Sequence, residues 1–174
     1  EGVIKNLGAA GVEVGEVEVD GYTDIDLIKA HKTVMAYEAS RARVVELECH
    51  SEKLSKQFFE LMQQGCLITF EQYQEALAQR DSANQRLTET WLNYDLLLTP
   101  SAPGEAPKGL SSTGDPIFSR AWNLLGGPAI TLPAGVGQKN LPLGIQLIGR
   151  VASDDYLIAQ ALWVDQNALP STTG

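Results

Sequence analysis

Short runs of hydrophobic residues predict four strands in this chain of 174 residues. Two runs, 128–133 and 143–148, lie between glycines and prolines, which is typical of buried strands rather than helices. A third run, 95–99, is continuous and stops at a proline, as expected for a strand buried on both faces of a parallel or mixed sheet. Valines that alternate with acidic residues over 12–19 predict a half-exposed strand with a bulge at Gly15.

Five helices are predicted around these strands, and the longest runs from about 24 to 50. A capping box of Thr23 and Asp26 opens it. Hydrophobic and small residues recur on one side and predict a face that packs against the core. They are Ile28, Met35, Ala42 and Cys49, widened by Leu27, Val34 and Val45.

Two more helices are predicted before the third strand run. One begins near Glu52 and ends at Gly65, a favourable residue just beyond a helix C-terminus. The other is opened by a capping box of Thr69 and Gln72. Their apolar stripes comprise Leu54, Phe58, Leu61 and Met62 in the first and Tyr73, Leu77, Leu87 and Trp91 in the second.

The last two predicted helices have recognisable ends. A short helix over 116–125 has Asp115 as its N-cap, Pro116 at its first position, and Gly126 at its end. The final helix begins near Ser153, with acidic residues that favour the positive end of its dipole. Its acidic first turn and apolar side comprise Asp154, Asp155, Leu157, Ala161, Leu162 and Trp163.

A distinctive order of glycines, prolines and polar residues runs from Asp95 to Asp155. Its members are Asn123, Gly126, Pro128, Ala129, Pro133, Gly135, Leu141, Pro142, Gly144, Gln146, Gly149 and the pair Asp154 and Asp155. In this order the segment closely resembles the carboxy-terminal part of the amidase signature family, and a weaker likeness covers essentially the whole chain. The resemblance implies an α/β fold, with part of a mixed β-sheet flanked by helices in α/β/α layers.

The resemblance also implies a chemistry that this chain does not carry by itself. Members of the family hydrolyse carboxylic amide C–N bonds by acyl transfer, using two serines in a Gly-Gly-Ser-Ser-Gly-Gly type run and a lysine. No such run occurs here. We therefore expect residues 1–174 to be one domain, the carboxy-terminal fragment of a longer amidase-like chain, without catalytic residues and inactive alone. A first residue other than Met and a helix-like end at Gly8 agree with this.

Two alternatives remain open. One is the glutamine-hydrolysing subunit of an amidotransferase from the same family, which passes ammonia to partner subunits. The other is a non-catalytic binding or scaffold domain that retains this part of the fold. A Gly-Ser run and a lysine in the preceding gene sequence would separate an enzyme from a scaffold.

Three residues of the short helix are candidates for substrate binding. Because the resembled region flanks the active site in the family, Phe118, Trp122 and Asn123 are expected to line the acyl or amide pocket. Phe118 and Trp122 are four residues apart, so simple core packing explains them equally well. The pair Ser111 and Ser112 is not expected to be catalytic, since it has only single flanking glycines and lies in a loop.

The remaining polar residues do not form a convincing site. His31 is predicted to pack within the stripe of the long helix, and His50 to pair with Glu46 at the surface. Arg80 is expected to pair with a carboxylate or cap carbonyl groups. Gly127, with its neighbour Gly126, is expected to let the backbone pass close to another layer. No metal and no organic cofactor is expected.

The composition limits which binding partners and which cellular compartment are expected. A net charge of −9 argues against nucleic-acid and membrane surfaces, because both require basic patches. Two cysteines without CxxC spacing favour a reducing compartment, so the cytoplasm is expected. The expected partners are the missing amino-terminal part of the enzyme and a small-molecule amide. A sheet edge left unpaired in the fragment also favours self-association.

Overall fold

The computed structural model describes residues 2–18 and 25–169. The chain divides into two compact units, a sheet unit of Glu1–Val19 with Thr88–Gly174 and a helical unit of Asp20–Leu87. The helices are α1 (Gly2–Ala9), α2 (Ile25–Ala42), α3 (Val44–Cys49), α4 (Lys56–Leu67), α5 (Phe70–Asn93), α6 (Ile117–Leu125) and α7 (Asp154–Ala168), with a 3-10 turn at Ser51–Lys53. The strands are β1 (Leu97–Pro100), β2 (Ala129–Val136) and β3 (Pro142–Ile148).

In the helical unit, α2 and α4 pack backbone to backbone. Gly65 is buried within α4, and a Cβ built on it would lie 1.9 Å from the carbonyl oxygen of Ala36 on α2 and 2.9 Å from Ser40 Oγ. Met62, one turn earlier on α4, is fully buried. The two helices approach so closely because glycine, alanine and serine meet at the contact.

This contact corrects two predictions. Gly65 does not end its helix, since α4 continues to Leu67 and Ile68 is its C-cap. The predicted face of the long helix is wrong in part, because Met35 is 39% exposed and Ala42 and Cys49 lie at the surface. Leu27 of the predicted face is buried, and the other buried residues of α2 are Ala30, Ala36 and Ser40. Close helix approach selects for small side chains, which a search for large hydrophobic residues overlooks.

The predicted helix over 24–50 is two helices. Arg43 leaves the helical region at φ −120° and ψ 31°, and its guanidinium lies 3.1 Å from Glu46 Oε1 in α3. Thr23, and with it the predicted capping box, lies outside the described residues.

The start of α5 follows the prediction. Thr69 N–H donates to Gln72 Oε1 at 2.9 Å, and Gln72 N–H donates to Thr69 Oγ1 at 3.2 Å, so the capping box is confirmed. Leu87 is buried as predicted, and the other fully buried residues of α5 are Ala76 and Ala83. An aromatic stack joins α5 to α2, with the Tyr37 and Tyr73 ring centroids 4.2 Å apart.

In the sheet unit, β3 lies between β1 and β2 and pairs antiparallel with both. The α/β class is confirmed, and the pairing among the described strands is antiparallel throughout. One face packs against α7 and α1. Its core comprises Leu7, Leu147, Leu157, Ala161, Val164 and Ala168, with Leu98, Ile130, Leu132 and Ile145 packed alongside.

Two strand predictions need correction. Residues 12–18 form neither strand nor helix, since no described strand lies beside them to accept their backbone hydrogen bonds, and Val19 lies outside the described residues. The run 128–133 does form a strand, but β2 is not buried on both sides. Along most of β2 the residues alternate between half-buried and exposed, because on this strand described residues cover mainly the face towards the α7 core.

The two helix predictions in the sheet unit hold with small changes. The N-cap of α6 is Pro116 rather than Asp115, whose carboxylate lies 3.4 Å from the Arg120 guanidinium. Gly126 ends α6 in the left-handed region at φ 79°, as predicted. Ser153 precedes α7 as predicted, but Leu162 is 58% exposed, and Val164 and Ala168 complete the buried side with Leu157 and Ala161. Among the described residues, no helix combines the length and the hydrophobicity that crossing a bilayer requires.

Candidate functional site

The candidate site lies where the first turn of α6 meets the face of the sheet opposite the α7 core. Gln146, on the central strand, is 5% exposed. Its Nε2 donates to the carbonyl oxygen of Phe118 at 3.0 Å, and Ser119 Oγ donates to its Oε1 at 3.4 Å. The amide of one strand residue therefore holds two consecutive residues of the helix.

At the level of Gln146, this face of the sheet carries a polar residue on each of the three strands. The register places Thr99 of β1 and Thr131 of β2 on either side of Gln146. Ser101 directly follows β1, and its N–H donates to the carbonyl oxygen of Gly144 on β3 at 3.0 Å. The Thr99 and Ser101 hydroxyls are buried without a hydrogen-bond partner in the described structure. Hydroxyl groups in such positions usually bond to a ligand, water or another segment.

The structure places the three predicted substrate-binding residues on α6 in different environments. Phe118 is half-buried in the first turn, Trp122 is buried at 3% exposure, and Asn123 is exposed. Trp122, together with the neighbouring Ala121, Leu124 and Leu125, anchors the helix in the interior. Phe118 is the member of the three that the Gln146 hydrogen bond touches directly.

A pair of glycines behind α6 allows the chain to turn back into β2. A Cβ built on Gly127 would lie 2.9 Å from the carbonyl oxygen of Gly149, which follows β3. The N–H of Gly149 donates to the Pro128 carbonyl oxygen at 2.9 Å. The predicted close approach of the backbone is thus confirmed, and its partner is the end of β3.

The loop between β1 and α6 carries the adjacent serines. Ser111, Ser112 and Lys108 are exposed, and Ser112 Oγ accepts a hydrogen bond from the Gly114 N–H at 3.1 Å. This is a local turn interaction of the kind serine commonly makes. The arrangement does not provide Ser112 with a base.

Glu105 ties the same loop to the β2–β3 hairpin. Its Oε1 accepts hydrogen bonds from the N–H groups of Lys139 at 2.7 Å and Leu141 at 3.1 Å. Within the hairpin, Gly137 N–H donates to the Leu141 carbonyl oxygen at 2.9 Å. One carboxylate thus fixes the tip of the hairpin and the loop that precedes α6.

Glu105→Ala is expected to raise hydrogen exchange at the Lys139 and Leu141 amides by roughly tenfold or more, because charge-assisted hydrogen bonds each contribute about 1.5–3 kcal/mol. Glu105→Gln keeps an acceptor oxygen and should have a smaller effect. Amide exchange measured by NMR checks this, with Glu13→Gln as the exposed control. Equal exchange in wild type and Glu105→Ala would show that the carboxylate does not hold the hairpin.

The other polar residues have structural partners. Arg80 pairs with Asp81 at 2.8 Å, so its predicted pairing with a carboxylate is confirmed. The pKa of Glu46 is lowered, first by a hydrogen bond from the backbone N–H of Glu46 and then by the Arg43 guanidinium. His50, which is exposed, makes only a minor contribution to this shift. His31 is half-buried on α2. The described part of the chain brings together no group of three or more His, Cys, Asp or Glu residues that would hold a metal ion.

The role of Gln146 is the feature that sequence reasoning missed. It was visible as a motif residue, but its importance lies in being polar within the apolar strand run 143–148. A buried amide in such a run needs partners for its donor and its acceptor. That requirement indicates an anchor, although it does not identify α6 as the element that is anchored.

Comparison with known proteins identifies the family. The sequence profile of the amidase family matches residues 1–158. The chain therefore belongs to the amidase signature family, whose members are hydrolases that act on C–N bonds.

Curated relatives match about half of the chain. The chain is 34% identical over 102 residues to one subunit of the glutamyl-tRNA(Gln) amidotransferase of Trichormus variabilis, covering 55% of this chain and 21% of the relative. It is 40% identical over 81 residues to the same subunit of Neisseria meningitidis, covering 42% of this chain and 17% of that relative. The chain thus spans about a fifth of the length of these relatives.

Solved structures share the fold over nearly the whole chain. A crystal structure of an amidase matches with a TM-score of 0.81 and 26% identity, covering 95% of this chain and 40% of the other. The 6-aminohexanoate cyclic dimer hydrolase matches with a TM-score of 0.76 and 20% identity, covering 97% of this chain and 40% of the hydrolase. The urea amidolyase of K. lactis matches with a TM-score of 0.76 and 17% identity, covering 99% of this chain and 11% of the amidolyase. The chain corresponds to a minor part of each.

Proposed function

We propose that this chain is the carboxy-terminal portion of an amidase that hydrolyses carboxylic amide C–N bonds by a Ser-Ser-Lys acyl-transfer mechanism. The match of residues 1–158 to the amidase family carries the proposal. The nucleophilic serine, the second serine and the lysine belong to a part of the enzyme that precedes these residues. The chain alone is then inactive, and its role is to supply part of the sheet and one wall of the substrate pocket.

The chemistry assigned to the complete enzyme follows from acyl transfer. A serine attacks the amide carbonyl carbon, the C–N bond breaks as the nitrogen gains a proton, and water then releases the acid from the acyl-enzyme. Preorganised N–H donors stabilise the oxyanion of the tetrahedral intermediate. We propose that Phe118, Trp122 and Asn123 form the wall against which the acyl or amide group packs. The half-buried Phe118 ring and the exposed Asn123 amide are the groups of this wall that a substrate can reach.

The proposal is tested in the full-length protein, the complete reading frame that contains this chain. Hydrolysis of a panel of simple aliphatic and aromatic amides should survive in Ser111→Ala and Ser112→Ala, because both serines are exposed loop residues. Phe118→Ala should raise KM by roughly tenfold, as expected from the loss of apolar contact with the substrate. If either serine variant abolished hydrolysis, the catalytic residues would not lie upstream.

A second candidate function is glutamine hydrolysis in an amidotransferase. The glutamyl-tRNA(Gln) amidotransferase subunits among the curated relatives favour it. The net charge of −9 offers no basic surface for tRNA on this chain, so any such contact falls to other parts. Ammonia release from glutamine that depends on copurifying subunits would favour the amidotransferase. Hydrolysis of simple amides by the full-length protein alone favours the amidase.

A further inference from the structure

We propose that Gln146 is a positioning residue for substrate binding: its side-chain amide fixes the first turn of α6 and thereby holds Phe118 in the pocket wall. The inference rests on the proposed function, because it is that function which places Phe118 in a pocket. It deepens that function by assigning a role to a buried strand residue that touches no substrate.

The geometry leaves the Gln146 amide little freedom. The residue lies on the central strand, with hydrogen-bonded neighbours on both sides, and it is 5% exposed. Both ends of the amide contact the same helical turn, at the Phe118 carbonyl oxygen and the Ser119 hydroxyl. Movement of this turn away from the sheet would break both hydrogen bonds together.

The Phe118 carbonyl oxygen and the Ser119 hydroxyl require a side chain that both donates and accepts hydrogen bonds, as glutamine does. A carbonyl oxygen only accepts hydrogen bonds, so the nitrogen of the amide must face Phe118, and the oxygen then accepts from the Ser119 hydroxyl. Leucine supplies neither group. An ionised glutamate cannot donate to the carbonyl oxygen, whereas a protonated glutamate both donates and accepts.

The rest of α6 does not depend on this anchor. Trp122 and its buried neighbours hold the second half of the helix, and Gly126 ends it. Loss of the Gln146 hydrogen bonds should therefore displace the first turn while the protein still folds. The expected consequence is weaker substrate binding with little change in the chemical step.

The test compares Gln146→Leu and Gln146→Glu with wild type in the full-length protein, labelled with 5-fluorotryptophan. The fluorine resonance of Trp122 is assigned by its absence in Trp122→Phe. It reports displacement of the first turn without relying on activity, because Phe118 lies four residues earlier on the same face of α6 as Trp122. Kinetics with one amide substrate are measured from pH 5 to 9. Gln138→Leu and Gln138→Glu, in the exposed β2–β3 turn, are the matched controls.

In Gln146→Leu we expect a shifted Trp122 resonance and a KM raised by roughly tenfold at nearly unchanged kcat, in line with the loss of two partly buried hydrogen bonds. Gln146→Glu should add a pH dependence. Burial beside a carbonyl oxygen raises the pKa of the new carboxyl group, so the protonated, anchoring form is present at low pH and lost as pH rises through that pKa. Relative to wild type, its KM should be normal at acidic pH and raised at alkaline pH.

Each other result overturns the inference. Unchanged Trp122 resonance and KM in Gln146→Leu would show that the amide anchors nothing. A shifted resonance with unchanged KM would show that the anchored helix takes no part in substrate binding. If kcat fell with KM unchanged, Gln146 would affect the chemical step instead. Wild-type protein that hydrolyses no amide would contradict the proposed function, and the Trp122 resonance would still show whether Gln146 anchors α6.

Discussion

Gly65→Ala is expected to destabilise the helical unit by at least about 3 kcal/mol, because the new Cβ overpacks a contact that has no room for it. That Cβ would lie 1.9 Å from the Ala36 carbonyl oxygen and 2.5 Å from its carbonyl carbon. Both are backbone atoms, so no side-chain rotation relieves the clash. The two helices must separate, and the buried Met62 side chain then loses its packing.

Urea unfolding followed by circular dichroism at 222 nm measures this loss. Gly8→Ala is the control, since Gly8 also lies in a helix but a Cβ there meets nothing within 4 Å. Helix propensity alone predicts that Gly8→Ala stabilises by up to about 1 kcal/mol. A Gly65→Ala variant as stable as wild type would show that α2 and α4 do not approach as described.

The 174-residue chain is expected to hydrolyse no amide, whereas the full-length protein should do so with a serine supplied from upstream. Replacing that serine with alanine should lower kcat by about 10⁶-fold, the loss typical of removing a catalytic nucleophile. Steady-state hydrolysis by the two purified proteins makes the comparison. Serine-dependent turnover by the 174-residue chain would contradict the proposal directly.

The features predicted correctly from sequence depend on local signals. Thr69 and Gln72 cap α5 because they are three residues apart, and Gly126 ends α6 because it takes a left-handed conformation. The apolar runs around Ala129 and Ile148 form strands between glycines and prolines. These signals act over a few residues, so they can be read without knowing the tertiary structure.

The features missed depend on contacts between distant segments. Gly65 looks like a helix end in sequence, but its contact with Ala36 places it inside a helix pair. Residues 12–18 have the pattern of a strand, yet a strand needs a neighbour, and none is described beside them.

In the candidate site, too, some features could be predicted from local sequence and others depend on contacts between distant segments. The hydrophobic spacing of α6 placed Phe118 and Trp122 on one side of a short helix, and the family resemblance made them candidates for the substrate pocket. The hydrogen bond between Gln146 and Phe118, which lie 28 residues apart, follows only from the packing of α6 on β3.

Locating the reactive serine tests the central claim most directly. A fluorophosphonate, which reacts covalently with activated serine hydroxyls, is added to the full-length protein, and the modified peptide is identified by mass spectrometry. We predict a single adduct on a serine upstream of residue 1 of this chain, with Ser111 and Ser112 unmodified. An adduct on Ser111 or Ser112 would contradict the assignment of the catalytic residues to another part of the enzyme.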